Sequence, residues 1–154
     1  MDYFKKLIFS LIFLIGANTA NASTSEFIGV IGAAIGDIKN QNNEKLINGS
    51  KIFYGDTIIS EAQSNAQILF LDQTVLTLGE DTELTIDEFI YDPNSHDGSF
   101  VSNVKSGTVK FITGQISNKN PDNLEVKMPS GTLGARGTEF VVLSESNNKS
   151  TVVL

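Results

Sequence analysis

His96 is the only histidine of this 154-residue chain, and it sits in the run Asp92-Pro93-Asn94-Ser95-His96-Asp97-Gly98. That run places oxygen ligands at alternating positions, as calcium loops do. It lacks the glycine at its sixth position and the distal bidentate glutamate of an EF-hand loop, so it reads first as an exposed turn. A single histidine without cysteine cannot complete a tetrahedral zinc site within the chain. A Ser-His-Asp triad would have to use the same residue, and no nucleophile-elbow sequence exists to partner it. Arg136 is the only arginine among eleven basic residues, flanked by Gly134-Ala135 and Gly137-Thr138. Its planar fork suits tying backbone carbonyls, or a carboxylate such as Asp56 or Asp87, into a corner between strands. The alternative is recognition of a ligand carboxylate or phosphate. Glu80, Asp81, Glu83, Asp87, Glu88 and Asp92 form an acidic run, either a solvated face that guards an edge strand or a surface for a cation or basic partner. Gly29 to Gly36 holds three glycines but lacks the lysine of a phosphate loop. The expectation is a protein that is not an enzyme, with no cofactor and no metal.

Composition narrows the classes further. The chain is 40% apolar, which fits one domain with a buried core, and carries a net charge of −7. An acidic balance argues against nucleic acid and against an anionic membrane surface, since both need a basic face. Without cysteine there are no disulfides, thiolate metal sites, catalytic thiols or acylated lipoprotein cysteines. Residues 1–22 read as a secretory signal: Lys5 and Lys6 precede the apolar run Leu7 to Ile15, and Ala20-Asn21-Ala22 offers a small-x-small cleavage site. The apolar run is too short for a spanning helix, which needs roughly 20 residues. The remainder, residues 23–154, has nine basic and 17 acidic side chains, a net charge of −8, and no second hydrophobic span. It is expected to be soluble, and periplasmic or secreted.

The elements that would hold any site are short strands between sharp turns, because alternation dominates and helical periodicity is missing. In Asn65 to Leu71, Ala66, Ile68 and Phe70 share one face, and Gln67, Leu69 and Leu71 the other. Both faces are largely apolar, which predicts a central strand covered on two sides. Asp72-Gln73-Thr74 turns, Val75 to Leu78 returns, and Gly79-Glu80-Asp81 turns again. Glu83 to Tyr91 then runs out, with Leu84, Ile86 and Glu88 on one face and Thr85, Asp87 and Phe89 on the other. Asn48-Gly49 is the strongest local hairpin signal, since both central residues of a type I′ turn need positive φ, and Asp97-Gly98 is a second. Gly55-Asp56, Gly79-Glu80 and Gly107-Thr108 mark changes of chain direction. Ser144 to Ser150 is polar enough for a hairpin tip, with Thr151 to Leu154 as the returning strand. That apolar ending is read either as an inner strand or as a stop short of the domain's end. The pattern predicts an all-β fold, an irregular β-roll or short β-solenoid of stacked hairpins.

Five motifs in order then carry a resemblance. They are Gly55-Asp56-Thr57-Ile58-Ile59-Ser60 with Asn65 to Ile68; Phe70-Leu71-Asp72 leading to Leu76-Thr77-Leu78-Gly79; and Leu84-Thr85-Ile86-Asp87. Val104 to Phe111 with Thr113-Gly114 follows, and then Met128-Pro129-Ser130-Gly131-Thr132-Leu133-Gly134-Ala135-Arg136-Gly137-Thr138-Glu139-Phe140. Together they resemble the FecR-like domain, a family of periplasmic all-β modules, over residues 50–142, with Glu26 to Asp37 similar to its first strand. The resemblance marks Gly55, Asp56, Asp72, Gly79, Gly107, Gly114, Pro129, Gly134, Arg136, Gly137, Thr138 and Phe140 as the motif positions. Two departures stand out: Asp72-Gln73 replaces the usual Asp-Gly, and Met128-Pro129 the usual Thr-Pro. The cytoplasmic helical region and single-span anchor through which membrane-spanning members hold a sigma factor are not recognised in these residues, and the expectation is a member without them. The resemblance therefore implies a secreted module for sensing, scaffolding or envelope signalling, with an envelope protein or a cell-wall glycan as partner. Its contact would be edge-strand pairing or docking on an exposed strand face. Some relatives of this kind cleave themselves at a Gly-Thr bond, which would make Thr138 a nucleophile on the Gly137 carbonyl. The alternative there is a tight turn followed by a β-favouring threonine.

Overall fold

The structure, a computed structural model, describes residues 26–134, 139–145 and 147–154. Residues 1–25, which include the expected leader, the Ala135-Arg136-Gly137-Thr138 segment and residue 146 lie outside the described residues. In chain order the strands are β1 (Phe27–Ile35), β2 (Ile38–Asn40), β3 (Lys51–Phe53), β4 (Thr57–Ser60), β5 (Asn65–Phe70), β6 (Val75–Leu78), β7 (Thr82–Tyr91) and β8 (Gly98–Ile112). A one-turn helix α1 (Gln115–Lys119) and a 3-10 turn (Pro121–Asn123) precede β9 (Leu124–Met128), β10 (Gly131–Gly134), β11 (Glu139–Glu145) and β12 (Lys149–Val153). The chain is all-β, as the alternation predicts.

Strand β8 is long enough to serve two layers. Its residues 107–112 join a first layer of order β3-β1-β5-β6-β8-β11-β12, and its residues 98–106 a second of order β2-β4-β7-β8-β9-β10. Every pairing is antiparallel except β8 with β9. Alternate residues of each strand point between the layers: Ala66, Ile68 and Phe70 of β5, Leu76 and Leu78 of β6, Leu84 and Ile86 of β7, Phe140 and Val142 of β11. Aromatic rings tie the layers together, with Phe70 of the first lying 4.8 Å from Phe100 and 5.5 Å from Phe89 of the second. Phe111 and the motif residue Phe140 stack at 4.8 Å within the first. Burying each such side chain contributes about 1.5–3 kcal/mol, so this layer contact is what holds a cysteine-free domain together.

Four local expectations are corrected. Strand β5 is central but covered on one face only: Leu69 and Leu71 are 39% and 46% exposed. The run from Glu83 to Tyr91 does not keep one parity. Its register passes from Ile86↔Ser102 to Glu88↔Val101, a bulge at Asp87 that moves Phe89 and Tyr91 onto the core side and Glu88 off it. Asn48-Gly49 makes a turn, with Ser50 N–H donating to the Ile47 carbonyl at 2.9 Å, but not a hairpin. Only Gly49 of the pair has positive φ (86°), and β3 pairs with β1, because Leu46 N–H is already given to the Ile38 carbonyl. Gly107 marks no reversal. It lies inside β8, where the strand leaves one layer for the other. Asp97-Gly98 does close a hairpin, between β7 and β8, with Tyr91 opposite Gly98. Strands β11 and β12 form the expected C-terminal hairpin, and among the described residues β12 pairs with β11 alone, so it is an edge strand and not an inner one.

Candidate functional site

The motif residues far apart in sequence meet in a buried knot. Asp72 has no exposed surface, and its Oδ1 accepts from Thr74 N–H at 3.0 Å. Its Oδ2 accepts from the Thr74 hydroxyl at 2.8 Å and from Ile116 N–H at 3.4 Å, while its carbonyl takes Gln115 N–H at 2.7 Å. Gly114 N–H donates back to Thr74 Oγ1 at 3.0 Å, and a Cβ on Gly114 would stand 2.2 Å from the Asp72 carbonyl oxygen. Asp72 thus closes the β5–β6 turn and receives the first N–H groups of α1, which have no partner inside so short a helix. Between them Gln73 holds φ at 71°, the left-handed conformation a glycine takes without strain. The departure from Asp-Gly therefore keeps the turn and stores strain in it. Gln73→Gly is expected to raise stability by on the order of 0.5 kcal/mol, because relief of about 1–2 kcal/mol exceeds the added chain entropy. Urea unfolding checks this, and a loss of stability would contradict it.

The loop after β7 also contacts α1, through Gln115 and Lys119. Asp92 accepts from Asn94 N–H and the Ser95 hydroxyl, both at 2.9 Å, and these hydrogen bonds, that from Asn94 first, hold its carboxyl below the ordinary 3.8. Lys119 reaches Asp97 at 2.8 Å, and that contact lowers the Asp97 carboxyl likewise. His96, with φ at 61°, places Nδ1 3.0 Å from Gln115 Oε1. The oxygens that resembled a calcium loop are thus committed to the loop's own donors and to α1. Among the described residues no three of His, Asp and Glu gather as a metal ion would need.

The acidic run is dispersed in the same way. Strand β7 lies between β4 and β8 over Thr82–Thr85, so Glu83 guards no edge, whereas Asp87 and Glu88 lie where, among the described residues, β8 is the strand's partner on one side. Glu83 pairs with Lys105 of the neighbouring β8 at 2.8 Å, Asp87 reaches over β8 to Lys127 of β9 at 3.2 Å, and Glu80 accepts from Gln63 N–H at 3.0 Å. Asp56 receives Phe53 N–H at 2.8 Å and Gln41 at 3.3 Å. Both carboxylates considered as partners of Arg136 therefore have other partners. The turn that carries Pro129 leans over β8 and β9, leaving an open cleft of about 620 Å³ lined by Asn103, Lys105, Lys127 and Thr132 among others. Gly134 ends β10 beside it. Arg136, Gly137 and Thr138, with the self-cleavage chemistry they would carry, lie outside the described residues.

The two outward faces differ in chemistry. On the second layer one row reads Thr57, Thr85, Asn103, Lys127, Thr132 across successive strands, with Thr57 and Thr85 hydroxyls 2.8 Å apart. On the first layer the corresponding row reads Lys51, Val30, Leu69, Val75, Ile112, Glu139. Leu69 and Ile112 are each 39% exposed, and Leu71 continues the aliphatic patch. Sequence reasoning saw the apolar second face of β5 but assigned it to the interior. The alternation was the right signal, and the missing fact was that no layer of the described chain covers it.

The fold and its motif residues define a domain class, an all-β module with Asp72 and Gly114 locking its turns. The sequence profile of the family described as FecR protein matches residues 56–154, and the chain belongs to that family. The match starts at Asp56, so β1 to β3 precede it. No curated protein and no solved structure matches the chain. Among the described residues no helix is long and apolar enough to cross a membrane.

Proposed function

We propose that this FecR-family chain is a non-enzymatic sensing or signalling module of the cell envelope, exported to the periplasm or secreted, that acts by contact with a protein surface. The observation that carries the reading is the aliphatic row Val30-Leu69-Val75-Ile112 on the outward face of the first layer. An apolar strip of this kind gains free energy when another surface removes it from water, at roughly 25 cal/mol per Å². Its aliphatic character favours a protein over a cell-wall glycan, because sugar hydroxyls buried against it would lose hydrogen bonds to water without replacement. Strand faces also carry partners without any reacting group. The test is capture from an envelope extract by the immobilised chain. Leu69→Glu is expected to reduce retention of the bound protein at least tenfold, since losing one buried leucine and burying a charge exceeds 1.4 kcal/mol. Thr85→Glu, on the polar face, is expected to leave it unchanged. Equal retention by the wild type and Leu69→Glu would overturn the reading.

A further inference from the structure

The apolar row has a charge at each end, and the two charges are opposite. Lys51 stands on β3, then Val30, Leu69, Val75 and Ile112 follow on four adjacent strands, and Glu139 stands on β11. We propose that the occupant of this face is a second copy of the chain, packed face to face about a two-fold axis that runs along the strands between β5 and β6. The inference rests on the reading of the row as a contact surface and adds the identity of what covers it.

The charge order selects this arrangement. A two-fold axis along the strands reverses the order of the row, so Lys51 of one copy lies over Glu139 of its partner, and Glu139 over Lys51, while aliphatic side chains meet aliphatic ones. An axis along the row would instead stack lysine on lysine and glutamate on glutamate, which is repulsive. Lys110 pairs with Glu139 at 2.7 Å, so each end of the interface would become a chain of alternating charges, Lys110, Glu139 and the lysine of the second copy. Leu71, on the same face as Leu69, falls near the axis and would meet its own copy. Facing sheets pack within about 30° of alignment, which keeps the ends of a six-strand row within reach of each other. Six strands at about 4.8 Å spacing and three residue rows give a patch of about 24 by 14 Å, small beside a standard interface. The dimer is therefore expected to be concentration-dependent, forming in the micromolar range or above.

Analytical ultracentrifugation of the protein, produced with its own leader and purified, tests this over micromolar to sub-millimolar concentration. The expected result is a shift from one copy to two. Lys51→Glu and Glu139→Lys should each weaken association at least tenfold, and Lys51→Glu/Glu139→Lys together should recover at least tenfold over Glu139→Lys alone. Leu69→Glu should stay monomeric with an unchanged circular dichroism spectrum, which separates lost association from lost folding. A wild type that is monomeric throughout, open-ended assembly, or a double variant no tighter than the single would overturn the proposal. If the wild type is monomeric yet its capture of an envelope protein still depends on Leu69, the second copy fails and the contact reading stands. If Leu69→Glu changes neither measurement, both fail.

Discussion

Alanine at position 107 is expected to lower the melting midpoint by roughly 10–15 °C, whereas alanine at position 49 lowers it by about 5 °C, on the usual scaling for a domain of this size. Both glycines hold φ in the left-handed region, 82° at Gly107 and 86° at Gly49. That conformation alone costs an L side chain about 1–2 kcal/mol, and the term is common to both. The difference is space. Nothing lies within 4 Å of a Cβ at Gly49, but at Gly107 it would stand 2.2 Å from Thr82 Oγ1, 2.5 Å from Thr82 Cα and 2.7 Å from the Asp81 carbonyl oxygen. The hydroxyl cannot rotate away freely, because Thr82 Oγ1 accepts Thr108 N–H at 3.0 Å. Backbone must move, and such overpacking adds about 1–3 kcal/mol. Gly107 is where β8 passes between layers, so the shift would spread into both. Equal losses at the two positions in a thermal melt would show that backbone conformation, and not the close approach of β7, sets the need for glycine there.

How far the residues revealed this structure depended on range. The β5–β6 hairpin was legible from alternation and from Asp72-Gln73-Thr74, since both signals are local. The partner of β3 was not, because Asn48-Gly49 makes its turn whether or not the flanking residues pair, and competition from β1 decides. The bulge at Asp87 was invisible to a two-residue period, which cannot show where one extra residue is inserted. Phe89 was therefore assigned outward although it packs on Phe70 and Phe100. The motif residues Asp72 and Gly114 were recognised singly, but their meeting is a tertiary contact that no local pattern encodes. The second apolar face of β5 was legible as apolar. Periodicity could not say whether the cover belongs to this chain or comes from elsewhere, and that difference separates a core strand from a contact surface.

The same contrast between holding a fold and meeting a partner gives Asp72 its test. Asp72→Ala is expected to lower unfolding free energy by about 3–5 kcal/mol, since three buried donors lose their acceptor at about 1–3 kcal/mol each, partly offset by relaxation. Those donors are Thr74 N–H, the Thr74 hydroxyl and Ile116 N–H. The Gln115 N–H keeps the main-chain carbonyl of residue 72, so α1 should loosen without detaching entirely. Asp72→Asn retains one acceptor oxygen, and its amide can donate to Thr74 Oγ1, so about half the loss is expected. Urea unfolding measures the size, and amide exchange at Ile116 locates it, with protection lost in the alanine variant before the β-strands open. An Asp72 that served a ligand would behave in the opposite way. Its replacement would relieve a buried carboxylate and leave stability within about 0.5 kcal/mol or higher, as surface-like changes do. A change that small would detach the family's aspartate from the turn, while a loss near 4 kcal/mol places it with Gly114 in the frame that keeps the outward rows in register.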